Sequence, residues 1–331
     1  MSVSSTPFAV SFTEVATALA EAGFAASACL PPPTALDPSG FDRMLADGVG
    51  DLGWLEESRD KRLDPRFLLP TARAMIVAAI PHQHQARCGD LRRARYAAGK
   101  DYHHVARRAL GRIAASLNAR HATPWLHRAC VDSAPINERT LARLAGLGWI
   151  GRNALLISPN LGSWLLLGVL LTEAPVVPQP GPHGADRCGR CTACESACPT
   201  RALMDRRCLT ERCISYLTIE HDGVIPADLA RLFQGWWFGC DRCQEVCPWN
   251  RKAPGPGDGR LAGDERDTDI LAVRAADFDV HFAARAIRRL GYQRFRRNLV
   301  VACASLGRDL PPADDEGDVV RAQRVELRAG V

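Results

Sequence analysis

The sequence predicts an α+β fold in three parts: a core of strands and helices, a cysteine-rich module and a short pair of carboxyl-terminal helices. Over the first half of the chain, apolar residues recur with the periods of helices and strands in turn. Nine of the thirteen cysteines lie between positions 188 and 247, and seven of these nine fall in two copies of one spacing. Between these regions, Ala174 to Gly184 holds four prolines, which disfavour helix and central strand and mark a boundary.

The elements of the core follow from these periods. Helices are predicted at Ser11–Ala22, Phe41–Leu55, Asp101–Leu117 and Asn137–Leu147, and strands at Ala74–Ile80, Trp125–Val131 and Gly162–Thr172. Strands and helices alternate, which is compatible with an α/β or an α+β core.

Composition breaks divide the chain into a core, residues 1–177, and a module, residues 178–252. A second stretch rich in Gly and Pro, Ala253 to Gly263, ends the module. Residues 264–310 hold a short helical segment, in which Val280–Leu290 and Tyr292–Leu306 are predicted to form an antiparallel pair. Residues 311–331 are charged and are predicted to be a flexible tail.

The cysteines of the module form two copies of one spacing. The first copy is Cys188, Cys191, Cys194 and Cys198 before Pro199, and the second is Cys240, Cys243 and Cys247 before Pro248. Bacterial ferredoxins hold two [4Fe-4S] clusters with this spacing, and the last cysteine of each run crosses to the other cluster. The first cluster is therefore predicted on Cys188, Cys191, Cys194 and Cys247, and the second on Cys198, Cys240 and Cys243.

The second cluster lacks one thiolate, because Trp237 occupies the place where the second copy would begin. Cys208 and Cys213 lie between the copies, and the spacing leaves both open as the eighth ligand. A zinc ribbon or a disulfide framework also uses close cysteine pairs. Neither explains the third cysteine and the Cys-Pro ending of both runs, so an electron-transfer module is favoured.

Net charge and hydropathy restrict the kinds of partner that the chain is expected to have. The chain has 331 residues, 47% of them apolar, and its formal net charge of +5 permits a polyanionic partner without requiring one. The amino end has no basic stretch before a long apolar run, and the apolar run Trp164 to Leu171 is too short to span a bilayer. Because cluster-type cysteines need a reducing compartment, we expect a cytoplasmic protein without a membrane partner.

One carboxylate of the core is a candidate for catalysis. Asp132 follows an apolar strand and precedes a helix, at the kind of strand end where open sheets place reactive groups. The residues alone leave a second role equally open, in which Asp132 or Ser133 caps that helix. The chain has no glycine-rich nucleotide loop of the familiar types and no G-x-S-x-G motif, so nucleotide cofactors and a serine nucleophile have no support.

Five motifs in combination closely resemble the epoxyqueuosine reductase family, over about residues 10 to 307. They are Val131–Pro135, Gly146–Asn153, Gly162–Trp164, Cys213–Glu220 and Gly239–Gln244. That family consists of cytosolic, cobalamin-dependent enzymes with two [4Fe-4S] clusters, which convert epoxyqueuosine to queuosine at the wobble position of transfer RNA. The resemblance implies a nitroreductase-like, cobalamin-binding core. It also implies that a flavodoxin- or ferredoxin-like protein supplies electrons, which the clusters pass to cob(I)alamin for attack on the epoxide.

The resemblance also implies roles for single residues. Cys213 opens a matching segment and becomes the eighth thiolate, whereas Cys208 has no counterpart. Asp132 matches the family's proton donor. In that role its carboxyl must be protonated, so we expect a pKa raised by partial burial and by few nearby cations.

Cobalamin leaves a faint pattern in the sequence. Asp101 to Ala106 approaches the D-x-H-x-x-G motif, but Ala106 stands where glycine is needed and the segment has a helical pattern, so no histidine is expected below the cobalt. Five residues of shared motifs are predicted to line the corrin, although turn and cap chemistry explains any one of them equally well: Tyr102, Asn153, Ser163, Ser215 and Asp241.

Gly148 and Gly151 are attributed to close backbone approach. The isolated cysteines are predicted as small buried residues: Cys29, Cys88, Cys130 and Cys303.

The carboxyl-terminal helices carry the best local signal for RNA. Five arginines fall within ten residues, with Tyr292 and Phe295 between them: Arg288, Arg289, Arg294, Arg296 and Arg297. Such a face could bind phosphates while an aromatic ring stacks on a loop base, and a solvated helix face is the equal alternative. A second basic segment consists of Arg92, Arg93, Arg95, Lys100, Arg107 and Arg108. Gly291 to Leu299 resembles the opening of the HEAT-like helical-repeat tail found in the family.

Two other functions stay open at this point. A related corrinoid iron-sulfur reductase of a small molecule, such as a reductive dehalogenase, would share the core and the module without needing basic helices. A pure electron-transfer subunit would use its first domain only to dock a partner.

Overall fold

The computed structural model describes residues 9–84, 89–119, 124–182, 184–263 and 267–329. Its strands are β1 (Ala26–Leu30), β2 (Ala74–Pro81), β3 (Arg92–Arg93), β4 (His127–Cys130), β5 (Trp149–Ile150), β6 (Leu156–Ile157), β7 (Leu165–Thr172), β8 (Leu203–Met204), β9 (Arg207–Cys208) and β10 (Trp236–Phe238).

The α-helices up to the end of the module are α1 (Phe12–Glu21), α2 (Ser39–Ala46), α3 (Trp54–Glu57), α4 (Arg59–Leu63), α5 (Tyr102–Asn118), α6 (Glu138–Leu144), α7 (Ala193–Ser196), α8 (Ile214–Ile219), α9 (Ala227–Ala230) and α10 (Arg242–Glu245). The later ones are α11 (Asp267–Ala272), α12 (Ala275–His281), α13 (Gly291–Ala304) and α14 (Asp318–Ala329). Short 3-10 turns are at Pro65–Phe67, Arg95–Ala97, Thr210–Arg212, Pro248–Asn250, Gly259–Leu261 and Ala286–Leu290.

A four-stranded antiparallel sheet forms the centre of the core, in the order β1-β2-β7-β4. The central strand β2 is buried along its whole length, which its continuous apolar run requires. Helices α1 and α5 cover one face of the sheet, and α6 packs with apolar loop residues on the other. Since neighbouring strands run antiparallel and helices cover the sheet, the core is α+β.

Most core elements lie where the sequence predicts them, and two differences have local causes. The predicted helix Phe41–Leu55 is divided into α2 and α3, because Gly48 and Gly50 between them adopt left-handed φ values of +93° and +55°. Strand β1 was not predicted, since its sequence Ala-Ser-Ala-Cys-Leu has no β-branched or aromatic residue.

The cysteine module is joined to the core by strand pairing and side-chain hydrogen bonds. Strand β10 pairs in parallel with β3 of the core. Ser163 of the core donates to Gln244 Oε1 (3.0 Å), and Asn250 Nδ2 donates to Ser163 Oγ (2.9 Å). The module is therefore held against the core by directed contacts.

The carboxyl-terminal segment differs from its prediction in two places. Val280–Leu290 is not one helix, because α12 ends at His281 and a separate 3-10 turn follows after Ala284, whose φ is +57°. The flexible tail predicted for residues 311–331 is also wrong for 318–329, which form α14. This helix packs on α13 and buries Val320 and Gln323.

Trp237, which replaces a cysteine of the second copy, has a structural role. It is 1% exposed and its ring lies edge-on to Phe295 at 5.6 Å and tilted to Phe282 at 6.4 Å. A buried aromatic side chain at this position joins the module to the carboxyl-terminal helices.

Two further predictions concern burial and membrane spans. Cys29, Cys130 and Cys303 are buried as predicted, and Cys88 lies outside the described residues. Within the described ranges, no helix has both the length and the hydropathy to cross a bilayer.

Candidate active site and cluster sites

The four cysteines predicted to hold the first cluster line one cavity: Cys188, Cys191, Cys194 and Cys247. Trp149 Nε1 donates a hydrogen bond to Cys188 Sγ at 3.4 Å. Hydrogen bonds to ligand sulfurs are among the features that set the reduction potential of a cluster. The chain thus places four thiols and one donor around a common space.

The cysteines predicted for the second cluster are electrostatic neighbours of one another. Cys240 interacts with Cys213 and Cys198, and Cys243 with Cys240 and Cys213. Ala202 N–H donates to Cys198 Sγ at 3.2 Å. Cys243 also interacts with Cys194 of the first group, and Cys208 interacts with Cys213 and Cys243, so the division of the cysteines between two clusters stays a prediction.

Two further observations bear on these groups. Cys208 lies beside Cys213, in the short hairpin of β8 and β9. No group of three or more His, Cys, Asp or Glu side chains in the described ranges is suited to a single metal ion. A cubane has four irons with one thiolate on each, so its ligands stand farther apart than ligands of one ion.

A second cavity lies where core, module and carboxyl-terminal segment meet. The core contributes Tyr96, Tyr102, His103 and Asp132, the module Ile219, Glu220 and Phe238, and the carboxyl-terminal segment Ala286, Arg289 and Leu290. The cavity is small, about 120 Å³, and opens to solvent. Three separate parts of the chain thus surround a cavity with two acidic side chains, Asp132 and Glu220.

Asp132 does not cap the following helix. Asn137 has that position, and its side chain accepts from Thr140 N–H at 3.3 Å. The Asp132 backbone is left-handed, with φ of +52°, a conformation that costs roughly 1 kcal/mol for a residue with a side chain. The Asp132 side chain is 53% exposed. The capping alternative is therefore excluded, and the carboxylate faces open space.

Asp132 belongs to a row of three ionisable groups. His103 Nε2 donates to Asp132 Oδ2 at 2.8 Å, and His103 Nδ1 donates to Asp101 Oδ1 at 2.5 Å. Burial opposes protonation of His103, but the two carboxylates outweigh burial and raise the pKa of His103 to about 9. At neutral pH the row is carboxylate, imidazolium, carboxylate.

The expectation of a raised pKa for Asp132 is wrong in this structure. Burial raises the pKa of Asp132, but hydrogen bonds from His103 and Tyr102 together with the His103 and Arg289 charges leave it below its ordinary value. The proton that was expected on Asp132 is instead held on His103.

Sequence reasoning missed both His103 and Glu138 as site residues. The signal for His103 was the Asp-Tyr-His segment, in which Asp101 caps α5 by accepting from His103 N–H at 3.0 Å. Glu138 Oε1 accepts from Asp132 N–H at 2.5 Å. The role of Glu138 depends on the conformation of the loop between Val131 and Asn137. No spacing pattern in the sequence predicts that conformation.

The five residues predicted to line the corrin do not share one cavity. Tyr102 lies in the Asp132 cavity and Asn153 in the cavity of the first cluster. Ser215 is half-buried on α8. Ser163 is occupied by Gln244 and Asn250, and Asp241 accepts from Arg95 N–H at 2.7 Å and from Gln244 Nε2 at 3.4 Å. Ser163 and Asp241 therefore brace the contact between core and module and are not free to bind a cofactor.

The predicted phosphate-binding face is largely internal. Arg296 and Arg297 are 2% and 0% exposed. Arg296 pairs with Glu316 at 2.9 Å, and Arg297 donates to backbone carbonyls of the module, including Leu217 at 2.9 Å. The prediction that these two bind RNA phosphates is thus wrong for this conformation.

The other residues of that face differ among themselves. Arg294 donates to Ile219 O at 3.1 Å and pairs with Asp222 at 2.9 Å. Tyr292 and Phe295 are buried and cannot stack on a base. Arg288 and Arg289 are 55% and 53% exposed. Of these two, Arg289 alone lines the Asp132 cavity.

Comparisons with known proteins agree with this geometry. A family model described as "4Fe-4S double cluster binding domain" matches residues 187–250, and one described as "Epoxyqueuosine reductase QueG, DUF1730" matches residues 62–133. The epoxyqueuosine reductase of Vibrio cholerae is 38% identical over 268 residues, which are 76% of this chain and 72% of that protein. The chain belongs to the epoxyqueuosine reductase family.

Further family members match at similar levels. The Xanthomonas campestris epoxyqueuosine reductase is 39% identical over 78% of this chain and 76% of its own. A crystal structure of epoxyqueuosine reductase with an epoxyqueuosine-modified tRNA-Tyr stem loop has a TM-score of 0.75 and 27% identity, covering 89% of this chain and 81% of that one. A Bacillus subtilis structure with its catalytic aspartate loop swung out of the active site has a TM-score of 0.76, with the same identity and coverage.

Two glycines of the Gly146–Asn153 motif are crowded by Ile157. A Cβ added to Gly148 would lie 2.1 Å from the Ile157 carbonyl oxygen, and one added to Gly151 would lie 2.4 Å from the Ile157 side chain. Gly148 therefore allows the close backbone approach that the sequence predicts, whereas the crowding at Gly151 comes from side chains.

Proposed function

We propose that this chain reduces epoxyqueuosine to queuosine at the wobble position of transfer RNA, using two [4Fe-4S] clusters and cobalamin. The observation that carries this function is the cavity around Asp132. It combines a carboxylate, a proton store on His103 and an exposed arginine at one opening. Thiolate clusters need a reducing compartment, so we place the reaction in the cytoplasm.

The two cysteine groups support a path for electrons. Cys191 of the first group is exposed, so a flavodoxin- or ferredoxin-like donor can approach that cluster. Cys213 directly precedes α8, and α8 ends at Ile219, which lines the Asp132 cavity. Phe238, two residues before Cys240, lines it as well. The second cluster thus lies on the elements that build the catalytic cavity.

The fit of the chain to cobalamin rests on unused polar atoms. Among the described residues, Arg152 Nε and Asn153 Nδ2 are buried without hydrogen-bond partners, on a loop beside the first cluster. Buried donors without a partner require an explanation, and cobalamin offers amide and phosphate acceptors. Asn153 and Tyr102 are the residues that would hold it, and Ser215 stays a predicted contact. When bound, cobalamin supplies a strongly reducing cobalt nucleophile for the epoxide carbon.

The protein's own part in the reaction is to deliver a proton. Opening an epoxide places negative charge on the leaving oxygen, and a positioned acid neutralises that charge. His103 holds the proton at neutral pH and donates to Asp132 Oδ2. His103 transfers this proton to Asp132, and Asp132, with open space in front of its carboxylate, passes it on to the epoxide oxygen, which leaves His103 neutral and Asp132 ionised.

We propose that the loop that carries Asp132 can move out of the cavity. A Bacillus subtilis relative has been captured with its catalytic loop swung out. In this chain the left-handed φ of Asp132 makes the inward position dependent on specific contacts. Such a movement would open the cavity to a nucleotide turned out of the anticodon loop.

An anaerobic assay with epoxyqueuosine-containing stem-loop RNA, reductant and cobalamin tests this function. We expect queuosine to form with the wild-type chain. Asp132→Asn, which keeps the shape but cannot carry a proton, should lower turnover by ~10²-fold or more. Iron content and cobalamin binding should be unchanged in the variant. Full activity of Asp132→Asn would remove the acid role, and absence of queuosine with the loaded wild-type chain would contradict the function itself.

A further inference from the structure

The inward position of Asp132 is held through its side chain and through its backbone. The side chain accepts from His103 and Tyr102, and the backbone N–H donates to Glu138. The contact with His103 is part of the proton path. The backbone contact touches no reacting atom, so it has a different purpose.

We propose that Glu138 is a positioning residue, whose carboxylate holds the Asp132 backbone in its strained inward conformation. This inference rests on the proposed function, because it assigns Glu138 a part in that reaction through Asp132 alone.

The contact is suited to that purpose because its anchor is rigid. Glu138 is the first residue of α6, and Asn137 caps the same helix end. Leu141 and Ala142 of α6 are fully buried against the central sheet. A hydrogen bond to this helix therefore fixes the Asp132 backbone relative to the core.

The contact is also strong for chemical reasons. Glu138 Oε1 accepts from the Asp132 N–H, and a hydrogen bond to an ionised carboxylate is stronger than one between neutral groups. A backbone with φ of +52° has ready alternatives, since a non-glycine residue prefers negative φ. Without Glu138, no other described contact of the Asp132 N–H would oppose a change of the Asp132 φ angle to a negative value.

The charges around Glu138 make the contact dependent on pH. It is surrounded by Asp132, Arg62, Arg139, Cys130 and Tyr102. Burial and the Asp132 charge raise the pKa of Glu138 to about 7, against the opposing effects of the Asp132 N–H, Arg62 and Arg139. The carboxylate form, the better acceptor, is therefore gained as pH rises through about 7.

Amide hydrogen exchange on the cluster-containing chain tests the proposal without requiring turnover. The variants are Glu138→Ala, which removes the acceptor, and Glu138→Gln, which keeps an oxygen acceptor but cannot ionise. Ser133→Ala is the matched control, because its side chain belongs to the same loop but contacts Arg107 and the Val131 carbonyl instead.

We expect Glu138→Ala to lower the protection factor of the Asp132 amide roughly tenfold, the effect of losing one strong hydrogen bond. In the wild type that factor should increase as pH rises through about 7, after correction for intrinsic exchange, and in Glu138→Gln it should be flat. Ser133→Ala should behave as the wild type does. In the stem-loop assay, Glu138→Ala should lower kcat with little change in KM, because misplacing the acid affects the transition state more than binding.

An unchanged protection factor in Glu138→Ala would overturn the proposal. If Glu138→Ala does not fold, the test rests on Glu138→Gln. A protection factor of the Asp132 amide that still depends on pH in Glu138→Gln would also overturn the proposal. Because exchange is measured without RNA, these outcomes are independent of whether the proposed reaction is correct.

Discussion

At the scale of single residues, the main result is where the acid proton resides. A carboxylic acid that must donate at neutral pH needs either its own raised pKa or a neighbour that can refill it. Asp132 has a lowered pKa and His103 a raised one. The row Asp101, His103 and Asp132 is therefore expected to act as a unit.

The first prediction at this scale concerns pH. His103 is protonated below its pKa of about 9 and loses that proton above it. Turnover limited by proton delivery should therefore fall as pH rises past about 9, which is well above the change near pH 7 that Glu138 is proposed to cause. His103→Gln should lower kcat by ~10²-fold and abolish this alkaline limb.

The adjacent histidine provides the control. His104 is the next residue of α5 and is exposed, so His104→Gln should keep both the rate and the pH profile of the wild type. If the pH profile of His103→Gln keeps an alkaline limb with the same midpoint, that limb belongs to a group other than His103.

At the scale of elements, the carboxyl-terminal arginines show how one sequence cluster serves two purposes. On α13, Arg296 and Arg297 point inward and bind Glu316 and backbone carbonyls. Buried guanidinium groups paired in this way are costly to break, by about 3–5 kcal/mol. The 3-10 turn before α13 places Arg289 beside the Asp132 cavity, 3.8 Å from Glu220.

The second prediction follows from that turn. We expect Arg289 to contact an RNA phosphate next to the wobble nucleotide. Arg289→Gln should weaken binding of the stem loop and reduce the slope of log K against log salt by ~0.7, the value for one phosphate contact on a single strand. Filter binding or anisotropy over a salt series measures this slope.

Arg288 is the matched control, because it has nearly the same exposure but pairs with Asp279 and does not line the cavity. Arg288→Gln should leave the slope close to the wild-type value. Equal slopes for both variants would show that Arg289 binds no phosphate. A wild-type chain with no salt-dependent affinity for the RNA would favour a small-molecule substrate.

In the molecule as a whole, the Asp132 cavity exists only where three parts of the chain meet. The core supplies the proposed acid, the module supplies a wall next to its cysteines, and the carboxyl-terminal segment supplies Arg289. The buried Trp237 joins the last two parts. The double-cluster module is therefore also a structural part of the proposed active site.

The third prediction concerns the eighth thiolate. With Cys213 as ligand, Cys213→Ser should reduce the iron content of anaerobically purified protein from about eight to about four per chain. The spare thiol beside it is the control, and Cys208→Ser should keep about eight. The reverse pattern would assign the ligand to Cys208, and four irons in the wild type would contradict the two-cluster assignment.

Local patterns predicted much of the fold and part of the site. Continuous apolar runs located β2 and β7, and the stripe of α5 with Asp101 at its start located that helix. Cysteine spacing located the double-cluster module, because the spacing reflects the shape of a cluster that the local chain must wrap. The helix breaks at Gly48 and Gly50 depend on backbone angles that apolar periodicity does not report.

Residues close together in the chain are enough to predict the double-cluster module, the family and the position of Asp132 after a strand. The site of the proton in the row of Asp101, His103 and Asp132, the arginines that face solvent and the contacts that hold Asp132 inward depend on the folded structure. Those properties come from charges and hydrogen bonds between segments far apart in sequence, such as Arg297 with Leu217 and Asp132 with His103. A pKa or an exposed fraction is set by the surroundings that folding brings together.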